Sequence, residues 1–478
     1  METASGVEVH SANPENYPDR VFRSRHIRFH RTGGEQPLAY HQIFGNLAII
    51  DRAMMSYLET MQEPVDYGVL ANRIGPNQAA ALWNSYFIVE DPEEERQATR
   101  SMLQERRASV HTGRYIGALQ ISSSNACNYS CSYCFADASD QRSPVRSAMP
   151  QNQNITFEAA EAAIRAVLAV ARRNGRERIA VKFLGREPLI NWPVVSRLLR
   201  TFNTGEIVWA ITTNGSLITE EIADAFREHN VLTMVSLDGP PAANDALRVL
   251  KSGRGSYAPT ERGILNLVSR GAPFGVSSVV SRATRFDTME GFIERLVNWG
   301  VRELELTLVM QTDLHQISGT GTDTLAENLW RLYRRFHDKV LIHGDWVDPF
   351  HRIMSTHKFR RESEIQRPAG ASCTATSHQI SIEPTGDLFP CRAMSLHYGH
   401  ISELESVLQS DAYASVVMRT FSNVRACQGC ALEGFCQGTC LGSSESQFGD
   451  IYEPPPQYCD IYRNTTRLLL DRCGIGLE

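Results

Sequence analysis

The chain has 478 residues, 42% of them hydrophobic, and a formal net charge of −6. That length allows two to four domains, and the apolar content suffices for well-filled cores. The acidic balance argues against a bulk polyanion binder, so no nucleic-acid partner is expected. The chain starts without a basic segment followed by an apolar run, and no stretch is long enough to span a bilayer. We therefore expect a cytoplasmic protein with no membrane partner.

Residues 1–108 predict a small module of short elements. Strand patterns lie at residues 21–30, 47–50 and 86–89, and helical patterns lie at 53–61, 67–72 and 77–84. This order resembles a winged-helix module that recognises peptides, and the stretch at 90–107 predicts a helical linker. The first strand carries Arg20, Arg23, Arg25, Arg28 and Arg31. These arginines suit an acidic peptide, or equally a solvated edge strand that is protected by charge.

Residues 109–358 predict alternating strands and helices. The strand patterns lie at residues 116–122, 179–184, 208–212, 233–237, 274–280 and 304–309. Repeated β–α units predict a parallel sheet, and six units favour a partial (β/α)6 barrel of the TIM type, with ligands at the carboxyl ends of its strands. Thr156 is the expected N-cap of a helix at Phe157–Arg173, and Asp287 with Glu290 is the expected capping box of another.

The tail, residues 359–478, is rich in cysteine and glycine and shows little periodicity. It begins with a predicted linker at 359–372. So few residues are available for a core that bound metal would have to hold this domain together.

Three of the eleven cysteines, Cys127, Cys131 and Cys134, follow the first barrel strand with the spacing C-x3-C-x2-C. In a reducing cytosol, clustered cysteines indicate metal ligands or catalysts rather than disulfides. Three thiolates in one loop can bind three irons of a 4Fe–4S cube and leave the fourth iron open. The alternative is a zinc loop, although zinc favours four ligands and no fourth Cys or His lies close by in the sequence.

This loop resembles the signature of the radical S-adenosylmethionine (SAM) superfamily, in which an aromatic residue, here Tyr133, precedes the third cysteine. The resemblance implies that an electron from the cluster cleaves SAM to a 5′-deoxyadenosyl radical. Gly185-Arg186-Glu187-Pro188 resembles the family's Gly-Gly-Glu-Pro segment, which holds the methionine amino group of the cofactor. The resemblance therefore makes Gly185 and Glu187 cofactor-binding residues.

Two later strand ends resemble segments of the subfamily with a cysteine-rich C-terminal extension. One contains Asn214, and the other begins at Ser236, which would approach the cofactor ribose or carboxylate. Asp245-x-x-Arg248 resembles a companion motif, with Arg248 as a partner for a carboxylate. The alternative for Arg248 is a solvated arginine on a helix face. The sequence assigns no catalytic acid or base.

The tail resembles the SPASM domain, which binds two auxiliary 4Fe–4S clusters. The resemblance assigns one cluster to Cys427, Cys430, Cys436 and Cys459, and the other to Cys373, Cys391 and Cys440. The second set lacks the extra cysteine that many relatives have, which leaves an open iron or a ligand other than cysteine. Cys473 is either that ligand or a free thiol. The alternative for the whole set is a structural zinc ribbon.

The resemblance implies a radical SAM oxidoreductase that carries SAM and three 4Fe–4S clusters, one in the barrel and two auxiliary. The first prediction is a maturase that installs a crosslink or related modification in a ribosomally made precursor peptide with a leader segment. We expect an electron donor such as flavodoxin or ferredoxin. The alternatives are a sulfatase-maturing enzyme that generates formylglycine and a zinc-ribbon peptide-binding protein that is not an enzyme.

Overall fold

The computed structural model describes residues 17–31, 37–43, 47–202, 205–309, 322–355, 373–376, 378–436 and 438–472. The predicted linker at 359–372 and Cys473 lie outside these ranges. No described helix is both long and apolar enough to cross a membrane.

The N-terminal part folds into two small antiparallel sheets and several helices. Its elements are β1 (Arg20–Arg23), β2 (Ile27–His30), β3 (Leu38–His41), β4 (Leu47–Ile49), α1 (Arg52–Thr60), β5 (Val65–Asp66), α2 (Tyr67–Ile74), α3 (Pro76–Asn84), β6 (Ile88–Val89) and α4 (Glu94–Ser109). The sheet orders are β5-β1-β6 and β2-β3-β4. Leu58, Leu70 and Phe87 belong to an apolar core of their own, so this part packs as a unit.

The strand predicted at residues 21–30 is two strands in the structure. β1 lies in the middle of its sheet, and β2 lies at an edge of the other. Between them the chain turns at the buried Ser24, whose hydroxyl accepts a hydrogen bond from the His26 amide at 3.0 Å. The prediction of one edge strand is therefore wrong, because the apolar alternation continues through a turn that a side chain stabilises.

The central part is built on parallel strands that are neighbours in chain order. Its elements are β7 (Ala118–Ile121), α5 (Phe135–Arg142), α6 (Pro144–Ser147), α7 (Phe157–Arg173), β8 (Ile179–Phe183), α8 (Trp192–Thr201), β9 (Ile207–Thr213), α9 (Glu220–Glu228), β10 (Leu232–Ser236), α10 (Pro241–Leu247), α11 (Tyr257–Ser269), β11 (Phe274–Val280), α12 (Phe286–Asn298), β12 (Glu303–Leu308), α13 (Thr322–Phe336), β13 (Leu341–His343) and α14 (Asp348–Ser355). The six predicted strands are present, and the short β13 continues the sheet beyond β12.

Helix ends in the central part test the predicted caps. α7 begins as predicted, because the Thr156 hydroxyl accepts a hydrogen bond from the Ala159 amide at 3.1 Å. The capping box at Asp287 is wrong: α12 begins one residue earlier, and its N-cap Arg285 makes no side-chain cap bond. Asp287 instead lies in the first turn, where a carboxylate is favoured by the helix dipole.

The tail extends the same sheet. Its elements are β14 (Gln379–Ile382), β15 (Asp387–Phe389), β16 (Gly399–His400), α15 (Leu404–Leu408), α16 (Asp411–Val417), α17 (Glu433–Cys436), α18 (Leu441–Phe448) and α19 (Pro456–Arg472). β14 pairs in parallel with β7, so the sheet order is β13-β12-β11-β10-β9-β8-β7-β14-β15-β16. α19 packs on α13, and tail residues such as Tyr413 and Leu469 belong to the main apolar core.

Candidate active site

A cavity of about 290 Å³ opens at the carboxyl ends of β8 to β12, where a parallel sheet binds its ligands. Seven of the predicted site residues that line it come from four segments of the chain. The cysteine loop contributes three thiols and an aromatic ring, and three strand ends or turns contribute the rest: Cys127, Cys131, Cys134, Tyr133, Gly185, Asn214 and Ser236. Arg248 lines the same cavity, so the structure brings these sequence-distant residues together.

The loop that carries Cys127, Cys131 and Cys134 is held by the backbone after α10. The amides of Ser130 and Ser132 donate hydrogen bonds to the carbonyls of Val249 and Leu247, at 2.8 and 3.0 Å. Burial raises the pKa of all three thiols, that of Cys131 to about 12, and each pair of thiols is close enough to interact electrostatically. Neutral, desolvated thiols gathered in this way are poised to exchange their protons for metal.

Asn128, which was not among the predicted residues, fastens the loop to the end of β9. Its amide oxygen accepts a hydrogen bond from Asn214 Nδ2 at 2.8 Å, and its Nδ2 donates to the Ser216 hydroxyl at 2.9 Å. The Asn214 Oδ1 in turn accepts from the Ser216 hydroxyl at 2.7 Å. In the sequence, the position of Asn128 between the first two cysteines could have indicated this structural role.

Arg248 is buried rather than solvated on a helix face. It forms an ion pair with Asp238, with 3.0 Å between Nη2 and Oδ1 and 3.3 Å between Nε and Oδ2. The Tyr133 hydroxyl donates to the same carboxylate, and Arg248 lies 5.6 Å from the centre of the Tyr133 ring. The carboxylate that Arg248 meets in the structure is therefore Asp238, a member of the Ser236 segment that was not predicted as a site residue.

The tail brings its seven described cysteines into two groups. In the three-cysteine group, Cys373, Cys391 and Cys440, burial and the neighbouring thiols raise the pKa of Cys391 and Cys440. In the four-cysteine group, Cys427, Cys430, Cys436 and Cys459, burial is again the largest cause, and the other three thiols add to the rise in the pKa of Cys427. This partition is the one that the resemblance assigned from the sequence.

A tight turn separates the two groups in the chain. Gly438 and Thr439 both have positive φ, of 93° and 63°, between Cys436 and Cys440. The buried Arg419 donates to the carbonyls of Gly438 and Ile451, each at 2.6 Å. This arginine fixes the turn, so that Cys436 enters one group and Cys440 the other.

Two family profiles match the regions that carry these groups. The profile described as the Radical SAM superfamily matches residues 121–296, and the iron–sulfur cluster-binding profile SPASM matches residues 373–431. The chain therefore contains a radical SAM domain. Its tail contains a SPASM domain, and the resemblance drawn from the sequence is confirmed.

Relatives extend the match beyond these profiles. The chain is 28% identical, over 91% of its length and 92% of the relative, to the radical SAM cyclopropyl synthase TigE of Paramaledivibacter caminithermalis. It is 25% identical to the serine-type anaerobic sulfatase-maturating enzyme of Klebsiella aerogenes, over 66% of this chain and 77% of the relative. The structure of Streptococcus suis SuiB bound to precursor peptide SuiA shares the fold, with a TM-score of 0.55, 16% identity, and coverage of 91% and 99%.

The radical SAM segment at Gly185 departs from the family's Gly-Gly-Glu-Pro at Arg186. The backbone tolerates this change, because Gly185 has a φ of 151° while Arg186 is not among the residues with positive φ. The Arg186 guanidinium pairs with two carboxylates on α5, Asp137 at 2.5 Å and Asp140 at 2.7 Å. The arginine thus ties this segment to the helix that follows Cys134.

Glu187 lies behind the cavity wall. Its side chain is fully buried, and it accepts hydrogen bonds from the Asn214 amide at 2.8 Å, the Thr213 hydroxyl at 2.7 Å and the Leu189 amide at 3.0 Å. Burial raises the pKa of Glu187 despite these donors. The structure therefore gives Glu187 a supporting contact with Asn214, and its direct contact with SAM stays a prediction.

The residues present fit SAM and iron–sulfur clusters. All ten cysteines in the described part of the chain are free, and thiolates are the usual ligands of such clusters. Within the described ranges, no three His, Cys, Asp or Glu side chains are placed to bind one metal ion. Thiolates around a cube each bind a different iron, so a cluster does not require three of them to converge on one ion.

Proposed function

We propose that this chain is a peptide maturase that installs a crosslink or related modification in a ribosomally made precursor. The observation that carries the proposal is how much of the chain each relative matches. TigE matches 91% of the chain, N-terminal part included, and the SuiB structure that matches 91% has a precursor peptide bound. The sulfatase-maturating relative matches only 66%. A substrate that needs the N-terminal part is therefore favoured over a sulfatase.

When bound, SAM and its 4Fe–4S cluster supply a 5′-deoxyadenosyl radical. In this proposal Cys127, Cys131 and Cys134 hold that cluster, and the cavity wall around Tyr133, Gly185, Asn214, Ser236 and Arg248 binds and orients SAM. The ion pair between Arg248 and Asp238 keeps this wall rigid, since a bidentate guanidinium–carboxylate contact fixes both side chains. The three-cysteine and four-cysteine groups hold two auxiliary clusters.

The N-terminal part is proposed to bind the leader segment by strand addition. β2 pairs with β3 on one side, and no other described strand pairs with its outer edge. Arg31 follows β2 with its side chain 73% exposed, in an exposed ion pair with Glu59 that an acidic peptide would compete with, and Arg28 lies within the strand. A peptide with acidic residues would gain main-chain hydrogen bonds from the edge and charge contacts from these arginines.

The roles proposed above divide the chain into three proposed domains. These are the peptide-recognition module with its linker at 1–108, the radical SAM barrel at 109–358 and the SPASM domain at 359–478. The first boundary falls at the end of α4, Glu94–Ser109. The second lies outside the described residues.

The first experiment is anaerobic reconstitution with iron and sulfide, followed by incubation with SAM, dithionite and candidate precursor peptides encoded by short reading frames beside the gene. About twelve irons per chain are expected from three 4Fe–4S clusters. We expect 5′-deoxyadenosine and a peptide that loses two hydrogen atoms. Formylglycine in a sulfatase-derived peptide would favour the sulfatase-maturing alternative, and bound zinc without nucleoside would overturn the radical proposal.

Leader recognition is tested by fluorescence anisotropy with a labelled leader peptide. Arg28→Glu with Arg31→Glu should weaken binding by at least tenfold, because both contacts with acidic residues become repulsive. Arg302→Glu is the matched control, since Arg302 is exposed between α12 and β12, away from the N-terminal sheets. Equal affinity of both variants for the leader would contradict strand addition at β2.

A further inference from the structure

The end of β3, residues 40–43, lies against the segment that carries most of the four-cysteine group. The Tyr40 hydroxyl donates a hydrogen bond to the Ala431 carbonyl at 3.2 Å. The Gly434 amide donates to the Gln42 carbonyl at 2.8 Å. Both tail residues lie between the second and third cysteines of that group. The N-terminal part therefore contacts the cysteine segment directly, although 391 positions of sequence separate Tyr40 from Ala431.

The two backbones approach closely at Gly434. A side chain there would overlap the carbonyl oxygen of Gln42, and its Cβ would lie 2.8 Å from the carbonyl oxygen of Ile43. A neighbouring ring contact reinforces the approach, because Phe435 and Tyr40 meet edge to face with 5.9 Å between their ring centres. Only a residue without a side chain fits between the β3 end and the cysteine segment at this point.

A buried polar contact reaches the turn before the second cysteine of the group. The Gln42 side chain donates from Nε2 to Glu433 Oε2 at 2.9 Å, and the Gly429 amide donates to the same oxygen at 2.9 Å. Both Gln42 and Glu433 are buried, so this contact is kept from water. Gln42 thus acts through Glu433 on the turn between Cys427 and Cys430, which makes it a positioning residue.

Apolar contacts involve the first cysteine of the group. Ile43, Phe421, Val424 and Cys427 belong to one small buried hydrophobic cluster. An aliphatic side chain from the N-terminal part therefore packs with a predicted cluster ligand, where it limits the access of water. Exposure to water and nearby charge are among the factors that set the reduction potential of an iron–sulfur cluster.

We propose that the β3 end forms one wall of the four-cysteine cluster site, where it positions the cysteine segment and limits the access of water; this rests on the proposed function only for the cluster that it gives this group. The N-terminal part then has two roles. β2 offers its outer edge to the leader, while the adjoining β3 supports a metal centre.

The first test is Gly434→Ala in the reconstituted full-length protein. The added methyl group should push the β3 end away from the cysteine segment, so that a chelator reaches the iron more easily. We expect about four irons, those of one cube, to pass to an iron chelator at least tenfold faster than in the wild type. Cys427→Ala, which should lack these irons, identifies them. Gly291→Ala is the matched control, because a Cβ at this position on α12 meets no described neighbour within 4 Å.

Gln42→Met tests the positioning role by a milder change, since methionine has a similar length but cannot donate to Glu433. The carboxylate then loses its compensating donor, which makes reduction of the nearby cluster less favourable. In a redox titration followed by EPR, the ratio of reduced to oxidised four-cysteine cluster at a fixed potential should fall at least threefold. The signal that is absent from Cys427→Ala identifies this cluster. Gln62→Met, at an exposed glutamine of the same N-terminal part, is the control and should keep the wild-type ratio.

Three results would overturn the wall at the β3 end. They are a wild-type rate of iron release in Gly434→Ala, a faster release of irons that Cys427→Ala retains, and an unchanged ratio of reduced to oxidised cluster in Gln42→Met. Should Gly434→Ala lose the far-UV circular dichroism of the wild type, Gln42→Met decides. Equal iron in the wild type and Cys427→Ala would instead overturn the cluster of this group, and this inference with it.

Discussion

The two cysteine-bearing regions of the molecule are held in place by different kinds of contact. The loop at 127–134 is fastened to strand ends by polar side chains such as Asn128 and by backbone hydrogen bonds. The tail is joined to the barrel by the β14–β7 ladder and by the ion pair between Arg146 and Glu383, whose side chains are each 1% exposed. The cysteine loop therefore depends on a few polar contacts. The tail is joined to the barrel by contacts that do not involve its cysteines.

The largest contrast is expected from removing one thiol in each region. Cys134→Ala should abolish 5′-deoxyadenosine formation and lower the iron content by about four atoms, because one cube loses a ligand. Cys427→Ala should lose modified peptide and a similar amount of iron while it keeps nucleoside formation. Iron analysis and chromatography of the nucleoside measure both. Loss of nucleoside in both variants would show that the two regions are not independent.

Next in size is the effect of breaking the anchor of the tail. Arg146→Met leaves Glu383 buried with the more distant Arg392, at 3.5 Å, as its remaining ion-pair partner. We expect the free energy of unfolding to fall by about 3 kcal/mol, the lower end of the cost of breaking a buried ion pair, because Arg392 still faces Glu383. Urea unfolding followed by tryptophan fluorescence measures this. Arg96→Met, which breaks an exposed pair with Glu93, is the control and should cost about 1 kcal/mol or less.

The same ion pair predicts a pH dependence of stability. Burial alone would raise the pKa of Glu383, but Arg392 and Arg146 outweigh it and lower the pKa. The pair therefore stabilises the fold above the unfolded pKa of about 4.3, and this stabilisation is lost as the pH falls through the lower folded value. Between pH 6 and pH 3, the free energy of unfolding should decrease less in Arg146→Met than in the wild type. If the free energy of unfolding fell equally with pH in both proteins, the ion pair would not be the source of this pH dependence.

The smallest effect is expected at Arg186. Arg186→Gly restores the family's Gly-Gly-Glu-Pro and removes partly exposed pairs with Asp137 and Asp140. Such pairs contribute about 1 kcal/mol or less, so stability should fall only slightly and nucleoside formation should persist. Arg165→Gln, which breaks an exposed pair with Glu161, gives the matched comparison. Complete loss of SAM cleavage would show that Arg186 itself contacts the cofactor.

Local signals were read correctly from the sequence, and contacts between distant segments were not. Thr156 caps α7 through a bond three residues away. The assignment of the cysteines to clusters came from the family resemblance and stays a prediction. Pairing of β14 with β7 depends on residues far apart in the chain, which no periodicity records. The same limit applies to Glu187, because its motif identified the carboxylate but not the donors that hold it behind the cavity wall.

The order of strands has a consequence for how the protein emerges from the ribosome. β7 pairs with β8 soon after both are made, but its other side waits for β14, which begins only at Gln379. Throughout that interval of synthesis, the strand that leads into the first cysteine loop presents unsatisfied backbone groups to other chains. Truncations that stop before Gln379 should therefore aggregate, whereas the 478-residue chain closes this edge with its own tail.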